Sequence, residues 1–415
     1  MSIFPSQHGT SCGYKRTEAG IIPDDWEAKA LGPHVSIISG ESPSLFKFGA
    51  AGTPYFKVDQ LNNSNKYMGN RETKYFVVGP CKTVSRGSVI FPKRGASIML
   101  NKIRLLGEEG YMDSNMMALT PLSDLVDEYL YYALSHIQLW TIADVASIPQ
   151  INNKHIKPLV VPVPNAPEQR AIAEALSDVD RLVESLDKLI AKKRAIKQAA
   201  MQQLLTGKTR LPEFDRHLRY KQSDLGPIPQ DWSLKPLRED VMLLSGHHVL
   251  AHHCNKRGVG VPYLTGPADY PDGLIRQTKF TDRPTTLCQP GDILVTVKGS
   301  GSGTLVEADA CYCISRQLMA IRVREWDSKF LFYSLLQNAS RIKAASTGLI
   351  PGLSRSDILD QEIPMPLTSS EQRAIATVLS DMDTEIMALA RRRDKTKQIK
   401  QGMMQELLTG RIRLT

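Results

Sequence analysis

Glu168-Gln169-Arg170-Ala171-Ile172-Ala173 recurs, 203 residues later, as Glu371-Gln372-Arg373-Ala374-Ile375-Ala376. Leu176-Ser177-Asp178 and Asp180 return as Leu379-Ser380-Asp381 and Asp383 at the same offset. From Glu168, ten of thirteen consecutive positions are identical, which excludes chance. The alignment runs on without a gap to Gln203-Leu204-Leu205-Thr206-Gly207-Lys208 and Glu406-Leu407-Leu408-Thr409-Gly410-Arg411.

Both stretches read as long helices. Ile172, Leu176, Val179, Val183, Leu186 and Ile190 alternate spacings of four and three, and Ile375, Leu379, Met382, Ile386 and Leu389 repeat the pattern. That is the seam of a coiled coil. Basic runs follow each seam, Lys192-Lys193-Arg194 and Arg391-Arg392-Arg393, and fit either a solvated face or contact with phosphates or a partner. Pro162, Pro164 and Pro167 are expected to keep the chain extended before the first helix, and Ser369-Ser370 to cap the second. Gly207 and Gly410 are natural stops. A helix of about 40 residues spans about 60 Å. The simplest arrangement is an antiparallel pair that sets the globular parts apart.

A second shared block opens each half. Tyr14, Gly20, Ile22, Pro23, Asp25, Trp26 and Gly40 match Tyr220, Gly226, Ile228, Pro229, Asp231, Trp232 and Gly246. Ile148-Pro149 pairs more weakly with Ile350-Pro351. Between these anchors the halves look unrelated. The repeat is too long, and occurs too few times, for a solenoid; it predicts one frame used twice around different contents. Each interior mixes β-rich runs, such as Ser88–Phe91 and Ile293–Val297, with a helical stretch at 127–139 or 328–336. The expected fold is therefore α/β: two pseudo-symmetric α/β domains, each followed by a long α-helix. Boundaries fall at 1–160, 161–211 (first helix), 212–370 (connector and second domain) and 371–415 (second helix).

The net charge of +9 favours a polyanionic partner. Both helical segments, 168–211 and 371–415, carry nine Lys/Arg against six Asp/Glu, whereas 21–160 and 227–370 each net about +1. Any contact with nucleic acid must therefore come from local surfaces. No apolar run is long enough for a membrane span. The polar start and six irregularly spaced cysteines lead us to expect reduced thiols in a cytoplasm.

With these motifs assembled, the frame resembles the specificity subunits of type I restriction–modification systems. The resemblance rests on Gly20–Trp26 and Gly226–Trp232, both Glu-Gln-Arg-Ala-Ile-Ala runs, and both Leu-Leu-Thr-Gly helix ends. It implies target recognition domains, each reading half of a bipartite, asymmetric double-stranded DNA site. It also implies helices that act as spacer and docking site for two methylation subunits, with restriction subunits added. Cofactors are expected on the partners only: S-adenosylmethionine, ATP and magnesium, with none in this chain. Candidate docking and spacer residues are Gln169, Arg170, Leu204, Leu205, Gln372, Arg373, Leu407 and Leu408.

For DNA contact the candidates lie at strand ends. Lys298 and Ser300 sit where Ile293–Val297 runs into a Gly/Ser loop, and Lys93-Arg94-Gly95 has a similar shape in the first half. Small residues let backbone N–H groups approach phosphates. Asn115, Arg316 and Gln317 precede apolar runs and have side chains suited to reading base edges; Asn115 fits a turn equally well.

Rival chemistry is poorly supported. Gly299, Gly301 and Gly303 mimic a nucleotide loop, but strand-like residues follow where a helix is needed. An S-adenosylmethionine-dependent methyltransferase would resemble its family through an Asn-Pro-Pro-Tyr or Asp-Pro-Pro-Tyr tetrapeptide, and neither occurs. There is no Walker sequence for ATP. His247, His248, His252, His253, Cys254 and the pair Cys311 and Cys313 lack zinc-ligand spacing. A non-catalytic coiled-coil scaffold remains the alternative; it accounts for the helices but not for unlike interiors inside a repeated frame.

Overall fold

The computed structural model describes residues 13–79, 83–145, 147–215, 219–299, 301–345 and 352–414. Ser300 and the Ile350-Pro351 pair lie outside them. The chain divides into two compact units, Met1–Asp187 with Arg391–Thr415, and Lys188–Ala390.

The long helices are Ala166–Leu204 and Ser369–Leu407, each 39 residues and about 58 Å at 1.5 Å per residue. Their starts differ from expectation. Asn165 caps the first, its Oδ1 accepting from the Glu168 amide at 2.9 Å. Pro167 then lies inside the first turn, where a missing N–H costs nothing. In the second copy Thr368 is the cap, its Oγ1 accepting from the Glu371 amide at 3.4 Å, and the two serines are already helical.

Each unit contains the beginning of one long helix and the end of the other. In the first unit Glu168 meets Arg413, Asp180 meets Lys400, and Asp187 meets Arg393. In the second, Lys193 meets Glu385, Lys197 meets Asp383, and Arg210 meets Glu371. Numbers rise along one helix as they fall along the other, so the pairing is antiparallel. Of the seam residues, Ile172, Leu176, Leu186, Ile190, Ile375, Leu379 and Ile386 are buried, while Val179, Val183, Met382 and Leu389 are only partly so. Ile172 and Leu176 join Leu407 and Leu408 in the first core, and Ile375 and Leu379 join Leu204 and Leu205 in the second. Each such side chain contributes about 1.5–3 kcal/mol on burial.

The domain interiors are built alike. In the first unit the main sheet runs Val35–Ser39, Met116–Pro121, Val89–Pro92, Arg104–Leu106, Tyr67–Met68. In the second it runs Val241–Ser245, Leu318–Val323, Ile293–Thr296, Leu305–Glu307. Ala118 pairs with Ile38 and Ile90, and Ala320 with Leu244 and Leu294, so the three central strands share one register. One helix covers each sheet, Asp127–Ile137 or Ser328–Gln337.

The frame is closed by an ionic clamp present in both units. Arg413 donates to Glu168 at 2.7 and 2.8 Å and to Asp25 at 2.8 and 2.6 Å, with its guanidinium 5.6 Å from the Trp26 ring centre. Arg210 does the same with Glu371, at 2.8 and 2.6 Å, and with Asp231. Just before each arginine, Gly207 and Gly410 turn with φ of +67° and +72°. A Cβ there would lie 2.4 Å from Pro229 or Pro23, so the turn needs glycine twice over.

Glu168 is almost fully enclosed. Burial pushes its carboxyl upward, but the hydrogen bonds from Arg413 and Trp26 outweigh that and hold it below its usual value. The Arg413 hydrogen bond likewise lowers Asp25. Folded values below unfolded ones mean full stabilisation at neutral pH, lost as pH falls through and below about 4. Arg413→Met strands a buried carboxylate and is expected to cost the first unit about 3 kcal/mol. Hydrogen exchange should then quicken over residues 14–26 and 166–176 and stay unchanged at 220–232. Acidification of the wild type below pH 4 should likewise quicken exchange over residues 14–26 and 166–176.

Candidate nucleic-acid interface

At one end of each main sheet, three chain segments meet through matching backbone bonds. The Lys93 amide donates to the Asn115 carbonyl at 2.8 Å, and Ile151 returns a bond to Lys93 at 2.8 Å. The Val297 amide donates to Gln317 at 2.8 Å, and Leu353 bonds Val297 at 2.9 Å. Lys93 is thus equivalent to Val297, and Arg94 to Lys298. Arg94 bridges to Gln150 and Lys298 to Gly352, and the following Gly95 and Gly299 have φ of +88° and +91°.

Arg94 and Lys298 are exposed, whereas Lys93 is half-buried and burial lowers its amine from the usual lysine value. The exposed first-half cation at this rim is Arg94. Lys93 supplies the strand end beside it.

Asn115 and Gln317 are equivalent too. The Asn115 amide donates to Asp113 Oδ1 at 2.7 Å, and the Gln317 amide to Ser315 Oγ at 3.2 Å. Asn115 Nδ2 also donates to Asp113, at 2.8 Å, so the turn reading describes its geometry; its carboxamide oxygen accepts no hydrogen bond among the described residues. Arg316 and Gln317 are exposed on the corresponding turn. Each rim thus carries one exposed cation beside a left-handed glycine, and a polar turn whose side chains differ between halves. Shared cations suit phosphates, which carry no sequence information; unlike polar tips suit base edges.

The docking candidates divide by burial. Gln169 is enclosed: its Oε1 accepts from Val126 at 2.8 Å and its Nε2 donates to Asp124 and Pro164. Gln372 repeats this with Asp327 and Pro366. Leu204, Leu205, Leu407 and Leu408 lie in the cores. These six tie helix to domain. Arg170 and Arg373 stay exposed. In the basic runs Lys193 and Arg393 pair with Glu385 and Asp187, while Lys192, Arg194, Arg391 and Arg392 face solvent.

What the sequence did not disclose is the second tie between domain and helix. Tyr132 donates to Asp180 at 2.7 Å and Tyr333 to Asp383 at 2.9 Å, each aspartate also holding a lysine of the opposite helix. The doubled Asp180 and Asp383 were its only signal. Among the described residues no His/Cys/Asp/Glu group is arranged to hold a metal ion, and no helix is long and apolar enough to cross a membrane.

Comparison with known proteins agrees with the doubled geometry. The family model described as type I restriction modification DNA specificity domain matches twice, at residues 23–193 and 229–401. The chain is 26% identical over 97% of its length, and 97% of the relative's, to a putative type I restriction enzyme MjaX specificity subunit of Methanocaldococcus jannaschii. It is 24% identical to the MjaVIII specificity subunit of that organism, covering 95% and 94%. Among solved structures, the type I restriction–modification S subunit from M. genitalium superposes with a TM-score of 0.60 at 17% identity, covering 92% of this chain and 96% of that one. A chain from a study of assembly and conformational transition in the type I R-M system gives 0.57 at 20% identity, covering 94% and 99%.

If the rim cations hold phosphates, Arg94→Ala and Lys298→Ala should each reduce the slope of log affinity against log salt by about 1. Filter-binding titrations from low to moderate salt check this; unchanged slopes would place the phosphates elsewhere.

Proposed function

The chain belongs to the type I restriction–modification DNA specificity family, and from that premise we propose that each of its rims reads one half of a bipartite, asymmetric duplex site. The protein is a non-catalytic recognition subunit. It binds DNA and assembles into a complex. The observation that carries the two-reader reading is the equivalence of Arg94 and Lys298 on matching backbone, beside turn residues that differ between halves.

Half-sites lying on one face of B-DNA are separated by about 34–36 Å or its multiples. Continuous helices of about 58 Å suit that spacing better than a flexible linker. The paired helices are the proposed spacer. Their exposed basic residues, Lys192, Arg194, Arg391 and Arg392 with Arg170 and Arg373, are the proposed docking surface for two methylation subunits, with restriction subunits completing the complex. S-adenosylmethionine, ATP and magnesium are assigned to those partners.

Methylome sequencing of cells expressing the chain with its methylation partner should reveal one bipartite asymmetric motif with adenine modified in both halves. The purified chain alone should bind DNA weakly and transfer no methyl group. A single continuous motif, or methyl transfer by the isolated chain, would overturn the proposal.

A further inference from the structure

The reading rim includes a position that neither the sequence motifs nor the family match singles out. Gly40 donates to Met116 at 3.0 Å and Glu41 to Met112 at 2.9 Å; Gly246 donates to Leu318 at 3.0 Å and His247 to Ile314 at 3.2 Å. Glu41 and His247 therefore occupy one backbone position in the two halves. A Cβ on Gly40 would lie 2.0 Å from the Asp113 carbonyl, and one on Gly246 2.1 Å from that of Ser315. The backbone is pressed against the turns that carry Asn115 and Gln317, so the next side chain has a fixed starting point.

Both side chains are exposed. The Glu41 carboxylate has no salt bridge or hydrogen-bond partner of its own among the described residues; the contact it makes, accepting from Tyr55 at 2.9 Å, is through its backbone carbonyl. An unneutralised carboxylate beside a polyanion repels it unless it collects a donor from the nucleic acid. In the major groove the donors are the exocyclic amino groups of cytosine and adenine.

His247 presents the same chemistry by another route. Its Nδ1 lies 2.8 Å from Thr286 Oγ1, and that hydroxyl donates its own hydrogen to the Ser245 carbonyl at 3.0 Å. Thr286 can therefore only accept, and Nδ1 must carry the proton. In the neutral ring the free Nε2 is then an acceptor.

We propose that positions 41 and 247 are base-reading positions, each offering an acceptor that selects a base with an exocyclic amino group, cytosine or adenine, in its own half-site. Guanine O6 and thymine O4 would meet acceptor with acceptor and are disfavoured. This rests on the two-reader function proposed above and adds a residue and a base class to it.

The test is selection of randomised duplexes by the full chain in complex with its methylation partner, comparing wild type with Glu41→Gln, His247→Ala and Thr286→Val. Glu41→Gln supplies both donor and acceptor, so preference for cytosine or adenine at one first-half base should fall about tenfold, with the second half unchanged. His247→Ala and Thr286→Val, which frees the ring to present either nitrogen, should relax one second-half base only. Identical preferences in all variants, or a uniform loss across both halves, would overturn the assignment while leaving the two-reader function standing. Failure of the wild type to enrich any bipartite sequence would instead overturn that function, and the assignment with it.

Discussion

The structure depends on an arginine that follows each helix-stopping glycine. Arg413 reaches back to Glu168 at the start of the first long helix and to Asp25 in the opening block, while Arg210 reaches Glu371 and Asp231. Each unit is thereby sealed by the end of the other repeat's helix. An exposed ion pair is worth little, but Glu168 and Glu371 are enclosed, and a buried carboxylate without its cation is costly. The clamp therefore acts as a requirement: the helix ends must dock, in antiparallel order, for the charges to be satisfied.

From that requirement the division of labour follows. Glu168, Gln169, Asp180 and their copies spend their side chains on holding helix to domain, so the frame is kept wherever the domain is used. At the rims the side-chain bonds are local, within the turns and between neighbouring loops. Glu41, Ser114 and Asn115 face solvent where His247, Arg316 and Gln317 do in the other half. Side chains at these positions can change without disturbing a core or a clamp. The physics of the fold separates what positions the reader from what is read.

The helices were legible because coiled-coil spacing is a local signal, their antiparallel order followed from the globular part lying between them, and Gly207 and Gly410 marked their ends. The cap of the second helix falls one residue before the expected serines because Thr368 and Ser369 are both good caps by residue type. Gln169 and Gln372 looked like surface contacts because glutamine is usually exposed; their burial is set by Val126 and Asp327, residues far along the chain. The Arg413 clamp spans 245 residues and has no local signature. At the rim, sequence found the loop at Lys298 but could not align it on Arg94 rather than Lys93, since the equivalence exists only in backbone hydrogen bonds.

The central claim is that the paired helices fix the separation of two independent readers. It is tested most directly by inserting one heptad into both helices, within 188–190 and 388–390, so that seam and ionic register are kept. Seven residues add about 10 Å, or about three base pairs at 3.4 Å each. Methylome sequencing of the lengthened chain with its methylation partner should return the same two half-sites with a spacer about three base pairs longer. An unchanged spacer, or altered half-sites, would contradict the account.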